Sequence, residues 1–326
     1  MNPTLRKLLS RFGPFFGLLT VFLLFVILNP PSFYSFYNIK TILTQTVIVG
    51  IAAYGMTMVI ISGGIDLSVG SQIALGTVVI ATVLALGGTG AEVGFALPLG
   101  AAVAGIAACA VAGLINGLII SRFNIVPFIV TLGMLQIARG VAKWIGREQT
   151  VSTPQNWLQD LMLLDPEPAW LVFAPGVWLA LLLFIGLSVL LRYTVFGRYI
   201  FAIGSNEQTA RLCGVNVNKH KVLIYTLSSV FVGISAIMQY SNLTVGDPTA
   251  ANGMELDIIA ALVIGGGSLS GGEGSALGSV VGALIMAVLR NGSNMLGLPN
   301  YVQEIIIGVI IVGAVMVDRL KHRVKG

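Results

Sequence analysis

The chain has 326 residues, 56% of them hydrophobic and only 10% charged, with a formal net charge of +5 at pH 7. Soluble domains carry about a quarter charged residues, so this composition excludes a soluble globular protein. The basic excess does not point to nucleic acid, because the Lys and Arg residues gather in loops as the positive-inside rule requires.

The first apolar run, Phe12 to Leu28, follows Arg6, Lys7 and Arg11. No small-residue cleavage pattern comes after it, only "NPPSFYSFY", so it reads as an uncleaved span. Phe33, Tyr34, Phe36 and Tyr37 then form an aromatic belt at the outer interface. Further spans are predicted at about 43–62, 69–87, 95–120, 125–144, 172–191, 222–243, 256–267, 274–290 and 302–317. The eighth is short, and the link from second to third is tight.

Ten crossings place both termini on one side. That side holds 13 of the 18 basic residues: Arg6, Lys7, Arg11, Arg122, Arg192, Arg198, Arg211, Lys219, Lys221, Arg319, Lys321, Arg323 and Lys325. It is therefore the cytoplasmic side. The opposite loops and their edges hold Glu92, Glu148, Asp160, Asp165, Glu167, Asp247, Glu255 and Asp257. The expected fold is an all-α polytopic membrane protein of about ten transmembrane helices, both termini cytoplasmic, forming one membrane domain over residues 1–326. Two soluble segments stand out, an outer one at 147–170 and an inner one at 192–221.

In "SGGIDLSVGS" (62–71), Asp66 is the only charge between Lys40 and Glu92. Shifted by 202 positions, "GGIDLSVGSQIALGTVV" lies over "GGGSLSGGEGSALGSVV" (265–281) with ten of seventeen positions identical. Gly-interrupted helices in two repeated halves point to a transport pathway. Gly63 and Gly64, and again Gly265 and Gly266, break a helix, which a membrane tolerates only where the freed backbone faces protein or water. The next helix needs acceptors for its first N–H groups. Asp66 or Ser68 is expected to supply one, and Ser268 or Ser270 in the second copy. Asp66 has a competing reading as a substrate or cation ligand, since an intramembrane carboxylate is a functional-site hypothesis by default. Ser268 aligns with Asp66, so one copy works without a charge there, and this favours the cap.

The inner segment "GRYIFAIGSNEQTARLCGVNVNKHKVLIY" (197–225) is the most organised polar stretch. Ser205 and Gln208 have the capping-box spacing, which predicts a short helix from Asn206 to Cys213, ended by Gly214. Asn216 or Asn218 is placed to cap the next membrane helix. The short helix is either a docking element or an ordinary surface helix.

Together "GGIDLSVGS", "GRYIFAIGSNEQTARLCGVNVNK" and "ELDIIAALVIGGGSLSGGEG" resemble the permeases of bacterial ABC sugar importers, of the ribose/galactose/xylose/arabinose branch. The likeness covers roughly residues 29–318 and is strongest to the ribose members. It is weakest at the N-terminus and at 147–170. The resemblance implies a subunit of the bacterial cytoplasmic (inner) membrane that provides the path for a sugar, a pentose such as ribose or a related monosaccharide. It also implies a second permease, identical or homologous, two cytoplasmic ATPase subunits, and a periplasmic or extracellular sugar-binding protein. Gly204, Ser205, Asn206, Ala210, Arg211 and Gly214 would then belong to the coupling helix seated in a cleft of the ATPase.

The chain carries no Gly-Lys pair, so it has no P-loop, and ATP is expected on the partner subunit alone, with no cofactor here. Its two histidines, His220 and His322, lie in basic segments, and no metal spacing or Ser-His-Asp set accompanies them. An intramembrane enzyme therefore has no catalytic constellation. The alternative function is an ion-coupled secondary transporter using Asp66 and the unwound glycines. Gly113-x-x-x-Gly117 and Gly278-x-x-x-Gly282 have the spacing for close helix packing, although Gly-rich membrane helices also produce such pairs by chance. Gln45, Thr46, Thr57, Asn116, Thr131, Gln136 and Gln239 either line a path or bond between helices.

Overall fold

Without water to satisfy it, backbone at membrane depth pairs with itself, and apolar runs of this length therefore coil into helices. A computed structural model describes residues 3–29, 31–88 and 94–323, in which every predicted span is helical. Glu92 and Lys325, two of the charges used for orientation, lie outside the described residues. The helices are α1 (Pro3–Leu28), α2 (Phe36–Ile61), α3 (Val69–Ala85), α4 (Ala96–Phe123), α5 (Pro127–Ile145), α6 (Pro175–Tyr193), α7 (Val195–Ser205), α8 (Glu207–Leu212), α9 (Val217–Leu243), α10 (Met254–Ile264), α11 (Ala276–Met295) and α12 (Asn300–Arg323). Six of them, α2, α4, α5, α6, α9 and α11, are long and apolar enough to cross a membrane, and shorter apolar helices accompany them.

Three helix starts are set by polar caps, of which the Asn216 cap of α9 is one of the two that the sequence offers and the other two differ from expectation. Ser35 accepts from Asn38 N–H and begins α2 seven residues early. Polar Asn38 and Lys40 hid this turn from an apolar reading. Asn38 is buried and exchanges hydrogen bonds of 3.0 Å with Asn291 of α11. Asn216 accepts from Lys219 N–H and starts α9 at Val217, before the basic residues that interrupt the apolar pattern. Thr194 accepts from Gly197 N–H and starts α7, a helix the sequence reading did not resolve.

The core runs around α2. In its apolar window 83% of the residues are buried, against 17% for α6, so α2 is surrounded by protein while α6 keeps a lipid-sized face. Small residues permit the close approaches. A side chain on Gly113 or Gly117 would strike α9 at Ser229 and Val222, and one on Gly278 or Gly282 would strike α10 at Gly265 and Ala261. Both small-residue pairs are thus packing seams. Thr57 meets Ser279 at 2.6 Å, Asn116 reaches Ser68 and Thr131 reaches the Ile65 carbonyl, so these three polar residues are interhelical bonds. Phe25 and Phe33 close a second cluster with Ile285 and Met286, fixing α1 against α11.

The segment 147–170, expected outside, is anchored rather than free. Strand β1 (Val151–Ser152) pairs antiparallel with β2 (Val245–Gly246) just beyond α9. Tyr240 Oη meets Thr153 at 2.7 Å and accepts from Asn156 at 2.9 Å, while Ser241 bonds Gln159 and Met162. Asp257, read among the acids of the opposite loops and their edges, lies in the first turn of α10. It is buried there and paired with Arg290 of α11. Desolvation makes an unpaired charge there costly, so the acid brings its own counter-ion.

Candidate functional site

Two helix ends are built by the same device. At the end of α2, Gly63 takes φ +82°, its N–H bonds Ile60 O at 2.9 Å, and Gly64 N–H reaches back to Val59 O at 2.9 Å. At the end of α10, Gly266 takes φ +91°, its N–H bonds Val263 O at 3.0 Å, and Gly267 N–H reaches Leu262 O at 2.8 Å. This crossed pair needs a left-handed residue, and glycine adopts that conformation without a Cβ clash.

The next turn corrects the capping expectation. Asp66 Oδ1 accepts from the N–H and hydroxyl of Ser68, two residues on, and does not reach the first turn of α3. Ser68 stands at the cap position of α3 but makes no side-chain cap bond. Its hydroxyl donates to Asp66 and accepts from Gln72 Nε2 (2.7 Å) and Asn116 Nδ2 (3.1 Å). Ser268 repeats the Asp66 turn with a hydroxyl, accepting from Ser270 N–H at 3.2 Å. Neither Ser268 nor Ser270 caps α11. Ser275 does, accepting from Gly278 N–H at 3.0 Å. Gly271, Gly272 and Gly274 all take positive φ and hold the chain out of the helix until Ser275. The aligned residues in the first copy, Val69, Gly70 and Gln72, are already helical.

Asp66 is fully buried and has no ion pair among the described residues. Its Oδ2 and the Tyr225 hydroxyl are both enclosed without a hydrogen-bond partner. Tyr225 lies against the break itself, since a Cβ on Gly64 would sit 2.4 Å from its oxygen.

The two breaks meet. Gly272 N–H donates to Ile61 O at 2.8 Å, joining the second glycine loop to the last turn of α2. Gly204, near the end of α7, packs on that bond; a Cβ there would lie 1.7 Å from Ile61 O and 2.7 Å from Gly272 N. A narrow crevice lined by Thr57, Ile61, Gly267, Gly274 and Ser279 remains between the breaks.

Beyond Gly204 the chain turns at Asn206. Its Oδ1 accepts from Thr209 N–H at 2.8 Å and caps α8, so the cap is Asn206 and not Ser205, which ends α7. Ala210 is buried with Ile203 and Val217, and this small core fixes α8 to α7 and α9. Gly214 at φ +85° ends α8, as expected. Glu207 bonds Arg211 (3.1 Å) and Lys221 (2.7 Å). Burial alone would raise its carboxyl, but the Lys221 ammonium and then the Arg211 guanidinium hold it below the usual glutamate range. The opposite face is open, with Leu212 89% exposed beside Arg211 and Cys213.

The glycine breaks and the Gly214 stop lie where the sequence places them, whereas Gly204 and Ser205, grouped with the coupling helix, belong to α7. Ile61, Gly272, Tyr225 and Ser275 were not among the residues the sequence singled out. The run "GGEG" was the one available signal for a longer second loop.

A family model described as Branched-chain amino acid transport system / permease component matches residues 38–315. The ribose import permease protein RbsC of Escherichia coli (strain K12) is 39% identical over 293 residues, covering 90% of this chain and 88% of that protein. RbsC of Bacillus subtilis (strain 168) is 38% identical over 321 residues, covering 96% and 94%. The L-arabinose ABC transporter permease protein AraH of Azospirillum brasilense is 32% identical over 309 residues, covering 94% and 88%. No solved structure matches the chain.

Proposed function

The chain belongs to the branched-chain amino acid transport system / permease component family, and on that premise we propose that its solute is a pentose, ribose or a close relative. It is a multi-pass permease subunit of an ABC importer in the bacterial inner membrane, a transport protein and not an enzyme. As an ABC importer permease it works with ATPase and substrate-binding protein partners. A neutral solute suits the two arginines packed among these helices, because both are already engaged. Arg290 is spent on Asp257, and Arg139 on the carbonyls of Pro248 and Ala250.

In this reading ten helices cross the membrane, α7 and α8 lie on the cytoplasmic face, and α2–α3 and α10–α11 are the two halves of an internal repeat. The helix α8, with Asn206, Ala210, Arg211 and Gly214, seats in a cytoplasmic ATPase, and Gly204 and Ser205 at the end of α7 link it to the breaks. A second permease, identical or homologous, completes the path. The observation that carries this is the packing of Gly204 on the Ile61–Gly272 bond. Movement of α8 is thereby delivered to both glycine breaks at once, and Gly63, Gly64, Asp66, Ser68, Gly265, Gly266, Ser268 and Ser270 form the joints that yield. The anchored outer segment 147–170 faces the binding protein.

The test is reconstitution of the chain with its ATPase and binding protein in liposomes. ATP-dependent ribose uptake, and loss of ATPase co-purification when residues 206–214 are scrambled, are expected. Normal assembly and uptake after scrambling would refute the coupling role.

A further inference from the structure

Between α9 and α10 the chain leaves the helical state for Thr244–Gly253. The stretch begins at the outer end of α9 and then descends along α3. A Cβ on Gly246 would meet that of Ala81 at 2.5 Å, and one on Gly70 would meet Ala251 O at 2.5 Å. From Ala81 to Gly70 is about 16 Å of helix at 1.5 Å per residue, half of the roughly 30 Å hydrocarbon layer. Helix α10, with 11 residues, covers only the other half before the Gly265–Gly266 break.

Irregular backbone at such depth survives only inside protein or beside water. One side of this stretch is inside protein. Gly246, Pro248 and Ala250 are buried, and the Arg139 guanidinium donates to Pro248 O (3.0 Å) and Ala250 O (2.7 Å). The other side is open. Thr249, Asn252 and Leu256 are exposed, and the Asn252 side chain has no hydrogen-bond partner among the described residues. Ala251 is held at φ +55° between them, a conformation that costs a non-glycine residue and persists where the surroundings enforce it. Asp247 Oδ1 accepts from the N–H and hydroxyl of Thr249, which leaves Asn252 as the amide presented on this face.

We propose that residues 247–256 line the water-filled path at mid-membrane, and that Asn252, with Thr249 beside it, forms the polar wall that a neutral polyol passes. The identity of the polyol as a sugar rests on the function proposed above; the wetness of the face does not. Asn252 supplies both a donor and an acceptor, which matches a hydroxyl, and it makes no ion pair that would hold the solute back.

The experiment places Asn252→Cys, and separately Thr249→Cys, in the full complex in intact cells transporting ribose. A membrane-impermeant thiol reagent is added from outside. Cys109 is buried and Cys213 lies on α8, which the proposed topology places inside, so the wild-type chain is the background. Labelling at position 252 or 249 is expected, with loss of ribose uptake in the labelled cells and none in treated wild type. Two results would overturn the proposal: full labelling with uptake unchanged, or no reaction with the polar reagent at either position while a membrane-permeant one reacts. Wild-type cells that take up no pentose count against the sugar alone, and the labelling still decides whether the face is wet.

Discussion

The backbone N–H of Gly272 donates to the carbonyl oxygen of Ile61 at 2.8 Å, and that single bond ties the glycine loop after α10 to the end of α2. The residues are 211 positions apart in the chain. Gly204 covers the bond with no room for a side chain. Three segments that the sequence presents as separate motifs are therefore one joint.

Gly204→Ala puts a methyl group into that joint, where backbone rather than a flexible side chain must give way. Overpacking of this kind costs about 1–3 kcal/mol. Uptake is expected to fall steeply, with the chain still inserted. Ribose uptake and ATPase turnover in the reconstituted complex measure it, and wild-type values for both would show that the joint is not under mechanical load.

For Asp66, Asn and Leu separate the turn from the charge. Asp66→Asn keeps an oxygen for Ser68 N–H, and Ser268 shows that a neutral group makes the same turn. Most transport should survive. Asp66→Leu strands a buried N–H and hydroxyl, at about 1–3 kcal/mol for each group left unsatisfied. Thermal unfolding in detergent should show the difference. Inactive Asp66→Asn in a normally assembled complex would mean that the charge itself is needed.

Asn206→Ala removes the α8 cap, worth about 1 kcal/mol, while Asn206→Asp preserves it. Weaker retention of the ATPase is expected for the first variant only, read by co-purification.

Acid should loosen the same helix. The Glu207 carboxyl is held below its ordinary value of 4.5, so its ion pairs contribute fully above that pH and are lost as pH falls through the lower, folded-state value. ATPase binding measured from pH 7 downward should weaken below about 4.5 in wild type. In Glu207→Gln it should be weaker at pH 7 and flatter with pH. Identical profiles would exclude the pair as a brace.

Arg290→Met leaves the Asp257 carboxylate buried and unpaired, at about 3 kcal/mol, the low end for such a break because Arg290 is itself half-exposed. Folded yield should drop, and Asp257→Asn in the same chain should restore it. No rescue would assign the loss to packing of the arginine stem instead.

Helix content was readable because apolar runs in lipid have no other way to pair their backbone. Gly63 and Gly214 were readable because a left-handed residue at a helix end is local, decided within one turn, whereas the cap of α8 was read one residue early, at Ser205 rather than Asn206. Ser275 was not readable. The repeat puts the second cap at Ser268 or Ser270, but Gly271 and Gly272 in the left-handed region, followed by the extended Gly274, delay α11 to Ala276. Arg139 and Asp257 fall within the predicted spans 125–144 and 256–267, but their partners, the Pro248 and Ala250 carbonyls and Arg290, lie far along the chain and leave no local signal.

The sequence by itself determined an all-helical membrane chain, its glycine breaks and the capped helix at 207–212, because composition, left-handed glycines and side-chain caps act within a few residues. Only the tertiary structure decided that Asp66 shapes a turn rather than capping α3, that Gly204 sits on the Ile61–Gly272 bond, and that 244–253 descends along α3. Those contacts join residues far apart in the chain, and no local preference records which helices will pack together.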